Sequence, residues 1–180
     1  DLSAFYFDIR KDVLYCDPKN SEKRKSCILV LNIILESLLK WFAPILSFTT
    51  EEIYTLIAKD KKSIHLEKFI EFPKLFKNKK LNEKWIELKK IREICNVSIE
   101  TKRASKEIGS SLEANLIINL DERLLKITKN TNFSELCITS NAVIQKIDSD
   151  EISVITTKAE GNKCPVCWKI NKDKCERHRD

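Results

Sequence analysis

The stretch CILVLNIILESLLKWFAPIL, residues 27–46, constrains the fold more than any other part of the chain. Its apolar side chains must be buried somewhere, which excludes a disordered protein. Asn32, Glu36 and Lys40 interrupt it, so it falls short of the roughly 18 apolar residues that a membrane span needs. It reads as a core helix over about 21–43, apolar on most sides, the central helix of a bundle. Pro44 ends it.

The neighbouring segments read as helices too. Leu2, Phe5, Ile9 and Val13 share one face of a first helix over about 2–15, ending near Asp17-Pro18. Thr49-x-x-Glu52 reads as a capping box that opens a short third helix. Residues 60–80 form a lysine-rich connection in which SIHLEKF is extended. A fourth helix runs over about 82–106, with Gly109 as its C-terminal stop. Its stripe of Leu81, Trp85, Leu88, Cys95 and Ile99 continues into Lys102, Arg103 and Lys106. Three unpaired cations cannot enter a core, so this end should project from the bundle. Two readings stand: a solvated helix end with cations at the negative end of the dipole, or a prong that contacts phosphates.

Past Gly109 the period changes. Leu112, Ala114, Leu116, Ile118 and Leu120 alternate, the pattern of a half-buried strand. Asp121 is placed to cap a short helix over about 121–130. Strand-like segments follow near 134–139, 142–147 and 152–158, divided by turn residues. The chain therefore divides into a helical part over 1–108, a small α+β domain over 110–160 and a terminal segment over 161–180.

That terminal segment reads KCPVCWKINKDKCERHRD from Lys163 and holds Cys164-x2-Cys167 and Cys175-x2-His178. Two such chelating turns can supply the four N and S ligands of a tetrahedral zinc site. Four protein ligands close the site, so one Zn2+ ion there is structural, and it orders a tail that can bury almost nothing alone. Free thiols or a disulfide are the alternatives. Trp168, beside Cys167 and among Lys163, Lys169 and Lys172, either stacks on an unpaired base or packs the turn onto the preceding domain. His65-x-Glu67 together with the later cysteines superficially matches a zinc deaminase signature. The proline lies between the cysteines instead of before them, and Cys175 and His178 fill the position that chemistry needs open. With two glycines in the chain, no glycine-rich phosphate loop is possible.

The apolar fraction of 42% and charged fraction of 33% fit a soluble protein, and the net charge of +6 suits an anionic partner. Of seven cysteines, Cys16, Cys27, Cys95 and Cys137 stand isolated, which fits small buried hydrophobes in a reducing compartment, the cytoplasm. There is no methionine and the chain opens mid-pattern, so a piece of a longer protein, or a processed one, is expected.

LSAFYFDIRKDVLYC (2–16), WFAPILSFTTEEIY (41–54), KEIGSSLEA (106–114) and GNKCPVCW (161–168) together resemble, in order and over essentially the whole chain, the C-terminal part of bacterial isoleucyl-tRNA synthetases. The second stretch fits the valine and leucine relatives equally; the Ile-Gly-Ser-Ser-Leu-Glu-Ala run and the terminal Cys-x2-Cys-Trp narrow the resemblance. It implies a class I ligase that joins isoleucine to its tRNA using ATP. Its helical anticodon-binding bundle would be followed by a small α+β domain and a zinc knuckle. ATP would belong to a catalytic domain outside this chain, because the family's His-Ile-Gly-His and Lys-Met-Ser-Lys-Ser signatures are absent. The family's last knuckle is usually Cys-x2-Cys, where this chain has Cys175-x2-His178. The resemblance implies a cytoplasmic, monomeric, membrane-free protein. Its partners would be an isoleucine-accepting tRNA and the N-terminal remainder of the same synthetase. On chemistry, Arg10, Lys11, Lys102, Arg103 and Lys106 are the candidates for phosphate contact, and Lys163, Trp168 and Lys169 for contact with the loop. A free-standing zinc-stapled module that binds protein is the alternative.

Overall fold

The structure, a computed structural model, describes residues 2–58, 62–149 and 151–178. It resolves into two compact units: Val13–Lys77, and Asp1–Asp12 together with Asn78–Asp180. A π-helical turn, Leu2–Phe7, leads into α1, Asp8–Cys16, which passes from one unit into the other.

The Val13–Lys77 unit contains α2, Glu22–Phe42, and α3, Ser47–Ile57. Ser21 caps α2 by accepting from the Arg24 N–H at 3.4 Å, and Pro44, without an N–H, follows its end. Leu39, Ala43 and Ile64 form the unit's small core, with Tyr54 against it. Glu51 of α3 holds the turn Ile64–Leu66 in place by accepting from the Ser63 hydroxyl at 3.0 Å and the Ile64 N–H at 2.9 Å. Lys40, largely buried, reaches Glu36 at 2.7 Å and Glu67 at 3.4 Å.

Three expectations change here. The Thr49/Glu52 capping box lies inside α3, not at its start. The helix begins earlier because the Leu46 carbonyl already accepts from the Thr50 N–H and hydroxyl, both at 2.9 Å. Residues 64–66 close a 3-10 turn instead of continuing an extended segment. Nor is α2 wrapped on all sides. Leu29 is 61% exposed and Phe48 of α3 is 93% exposed, with Trp41 and Leu56 also open. Among the described residues, the unit has too few elements to cover more than one side of α2.

The other unit is built on β1, Ala114–Leu120, the middle strand of a sheet ordered β2-β1-β3. β2, Asn141–Lys146, runs parallel to it and β3, Ser153–Lys158, antiparallel. The alternation read in the sequence is the one observed: Ala114, Leu116, Ile118 and Leu120 are buried. Against that face lies α4, Lys79–Ala104, through Leu88, Ile91, Cys95 and Ile99. Ser98 joins it to β3, its hydroxyl 2.7 Å from that of Thr156. Ile9 of α1 enters the same core, and Phe5 meets Trp85 edge to face at 6.1 Å. α4 thus packs on the sheet, and the compact units divide the chain at Lys77–Asn78 instead of at the change of period near Gly109.

The parallel β1–β2 pair needs a crossover, supplied by α5, Glu122–Thr128, and α6, Phe133–Leu136. Asp121 caps α5, accepting from the Leu124 N–H at 2.6 Å, as its position suggests. The strand expected near 134–139 is α6 instead. Asn132 caps it by accepting from the Ser134 and Glu135 N–H groups, and Phe133 and Leu136 are buried three residues apart.

Gly109 does not stop α4. Ser105 is the C-cap, and Lys106, at φ 59°, takes the left-handed position beyond it. The Lys106 N–H donates to the Arg103 carbonyl at 3.0 Å and the Glu107 N–H to that of Lys102 at 3.1 Å, a Schellman closure. Glycine adopts that conformation without the side-chain penalty, so Lys106→Gly is expected to raise the unfolding free energy by about 0.5–1 kcal/mol. Urea denaturation measures it, and a loss of stability would contradict this account of the helix end.

Candidate metal centre and nucleic-acid interface

The terminal segment folds as a short hairpin followed by a turn. β4, Asn162–Lys163, pairs antiparallel with β5, Ile170–Asn171. Gly161 makes the pairing possible: at φ 127° its missing Cβ would lie 2.2 Å from the Asn171 carbonyl oxygen. Between the strands the Cys164 N–H donates to the Lys169 carbonyl at 2.9 Å and the Trp168 N–H to that of Cys164 at 3.0 Å. This tight turn buries Cys164 and Cys167. In the second turn the His178 N–H donates to the Cys175 carbonyl at 3.2 Å.

The two turns face each other. One donor atom from each of Cys164, Cys167, Cys175 and His178 lies within 4.8 Å of all the others. Cys164 Sγ and Cys175 Sγ are each 3.5 Å from His178 Nδ1, and Cys167 Sγ is 3.8 Å from Cys175 Sγ. Zn–S bonds of ~2.3 Å and a Zn–N bond of ~2.05 Å in a tetrahedron give S···N edges of about 3.6 Å and S···S edges of about 3.8 Å. The donor set therefore fits a tetrahedral ion of that size, and it is far too open for disulfides; all the thiols are free.

Burial works to raise the Cys164 thiol, yet the Cys167 and Val166 N–H groups, with the Cys167 thiol and His178 ring, bring it down to about 6. Cys167 is pushed up to about 12, first by burial and then by Cys164 and Cys175 beside it, against the Lys169 N–H. One thiolate forms readily and its neighbour resists, the charge problem that a bound dication resolves.

Trp168 occupies the left-handed region at φ 62° and leaves its ring 59% exposed, with Lys163 Nζ 5.4 Å from the ring centroid. The turn thus presents the indole to solvent instead of packing it on the sheet domain. Lys163 is exposed and Lys169 half-buried beside it.

The remaining candidates lie on two other elements. On α4 and its closure, Lys102 pairs with Glu107 at 2.7 Å, Arg103 with Glu100 at 2.7 Å, and Lys106 is exposed. The Lys102 bond, then the Ser105 hydroxyl, holds the Glu107 carboxyl below its usual range. On α1, Lys11 pairs with Asp8 at 3.2 Å, while Arg10 reaches Glu135 at 2.7 Å in a largely buried pair. The eight cationic and aromatic candidates therefore fall into three groups on three elements. Sequence reasoning passed over Gly161, Ser140 and Arg177. Of these only Gly161, one of two glycines, carried a local signal.

The description "Anticodon-binding domain of tRNA ligase" belongs to the family model that matches residues 1–118. The chain is a member of that family. Over all 180 residues it is 72% identical to the isoleucine–tRNA ligase of Pelagibacter ubique, of which it covers 20%. It is 37% identical to that of Rhodopseudomonas palustris over 94% of the chain and 18% of the relative. With the Zymomonas mobilis ligase the identity is 40%, over 93% and 18%. The chain thus spans about a fifth of the length of these curated relatives. Among the described residues, no helix is long and apolar enough to cross a membrane.

The four-donor cluster should take up one divalent ion per chain. Cys167→Ser is expected to weaken that uptake by ~100-fold or more, because the site loses one of its four bonds. Native mass spectrometry during a zinc titration reads both, and unchanged uptake by the variant would contradict the geometry.

Proposed function

We propose that this chain is the part of an isoleucine–tRNA ligase that grips the anticodon stem and loop of an isoleucine-accepting tRNA. The observation that carries the reading is an exposed indole, held on a metal-ready turn, in a chain of the anticodon-binding family. Joining isoleucine to tRNA with ATP is then the work of the whole ligase in the cytoplasm, with the catalytic and editing parts outside this chain. The protein acts as a monomer. Its helical part, 1–108, corresponds to the anticodon-binding bundle of a class I synthetase, with α4 shared as the packing helix of the α+β sheet in 110–160, and 161–180 is the knuckle.

Zinc is the ion we assign to Cys164, Cys167, Cys175 and His178. It supplies a structural tie and no reaction step, because all four positions are filled by the protein. Trp168 would stack on an unpaired base, a contact that any base can make, while Lys163 and Lys169 draw the phosphates beside it. Lys11, Lys102, Arg103 and Lys106 would contact phosphates along the stem. Lys102 and Arg103 can exchange a solvent-screened carboxylate for a phosphate at little cost. Arg10 is bound more deeply to Glu135, so its share is chiefly its positive field. The open apolar side chains of α2 and α3, among them Leu29, Trp41 and Phe48, suit contact with the remainder of the same ligase.

The test is the dissociation constant for an isoleucine tRNA transcript and for one with its anticodon replaced, each at low and moderate salt. The expected result is binding that weakens steeply with salt. It should also weaken by about 1–3 kcal/mol in Trp168→Ala, the range for one base stacked on an aromatic ring. Binding insensitive to salt and to Trp168 would overturn the reading in favour of a protein-binding module.

A further inference from the structure

Among the described residues, two contacts fasten the metal-ready segment to the rest of its unit. The Ile170 N–H donates to Ser140 Oγ at 2.6 Å, and the Ser140 hydroxyl donates in turn to the Leu112 carbonyl. The second point is Arg177, next to the ligand His178. Its Nη1 donates to the Asp12 carboxylate at 2.6 Å and its Nη2 to the Asp12 main-chain carbonyl at 3.1 Å. The pair lies 165 positions apart along the chain, and the two side chains are only 25% and 21% exposed.

Two N–H groups of one guanidinium bound to side chain and backbone of one residue fix both distance and orientation. Such a contact needs Arg177 itself to be held. Residues 172–178 contain neither helix nor strand, so the donors on either side of Arg177, Cys175 and His178, are what an ion would use to hold it. Asp12 belongs to α1, the helix that carries Arg10 and Lys11, and is its last residue within this compact unit. The other printed ion pairs from the helix into this unit, Arg10 to Glu135 at 2.7 Å and Asp8 to Arg92 at 4.0 Å, meet its first turn, as does buried Ile9, while buried Val13 belongs to the other compact unit.

We propose that occupancy of the metal site is transmitted to α1 through the Arg177–Asp12 pair, which makes these two positioning residues for the tRNA-facing helix. With an ion on Cys175 and His178, Arg177 is held and grips Asp12; when the ion leaves, the grip loosens and α1 frays past Arg10. The inference rests on the zinc reading of the four-residue site given under Proposed function.

Hydrogen exchange by mass spectrometry on the complete chain, zinc-loaded and chelated, tests it, with native mass spectra recording zinc content separately. In the wild type, amides of α1 should exchange about tenfold more slowly with zinc than without. In Asp12→Asn, still binding one zinc, that difference should shrink to about twofold or less, because the carboxylate charge is gone and the guanidinium faces only neutral acceptors. The double reversal Asp12→Arg with Arg177→Asp should recover much of it, which loss of a merely structural residue would not allow. If Asp12→Asn also loses the slow amides of β1, and so is unfolded, Arg177→Lys decides, since one ammonium cannot make both bonds. Zinc-loaded wild type without α1 protection, or a full metal-dependent difference in the decisive variant, overturns the inference. Absence of zinc from the wild type overturns the metal reading first, and the inference with it.

Discussion

Three thiols and one imidazole, drawn within 4.8 Å of one another, organise the end of this chain. The segment from Lys163 onward has few large apolar side chains, and those of Val166 and Trp168 face solvent. Hydrophobic burial therefore cannot order it, and a two-residue strand pair is too short to do so. What remains is the convergence of four ligands, together with a glycine at 161 that lets the two strands meet. A left-handed backbone at Trp168 costs energy for any residue other than glycine, and the turn that binds Cys164 and Cys167 is what sustains it. The exposed indole is thus a product of the ligand arrangement.

The core of the same unit is α4 on the sheet. Leu88, Ile91, Cys95 and Ile99 lie against β1, whose alternate residues are fully buried. The helix continues past the core to the cations at its C-terminal end, where Lys102 and Arg103 are balanced by Glu107 and Glu100. Such local, solvent-screened pairs keep the end soluble without committing its charge, because each contributes little to stability. A surface of this kind can exchange partners with a phosphate backbone. The deeper pairs of Arg10 and Arg177 are of another sort and serve to fix one element on another.

Much of this was legible in the sequence, and the failures share a cause. The alternation from Ala114 to Leu120, the cap position Asp121, and the four metal-type ligands are local patterns, and each appears where its spacing puts it. Thr49-x-x-Glu52 was just as clear a local pattern, but the Leu46 carbonyl had already begun the helix. Gly109 looked like a helix stop, yet Lys106 accepts the strained position because two carbonyls, those of Arg103 and Lys102, are satisfied by it. Residues 134–139 carry a strand-like composition, and the Asn132 cap with Phe133 and Leu136 on one side decides for a helix. The apolar run 27–46 demands burial, but the sequence does not say by what; Leu29 and Trp41 stay open. The Arg177–Asp12 pair spans nearly the whole chain and leaves no local trace.

The most direct measurement is zinc K-edge X-ray absorption on the metal-loaded chain, because the proposed order of the terminal segment places four protein donors around one ion. The expected first shell is three sulfurs at ~2.3 Å and one nitrogen at ~2.0–2.1 Å, with no oxygen. A shell with a water oxygen in place of the imidazole or of a thiolate would contradict it. The site would then be open, and the turn that carries Trp168 would need another source of order.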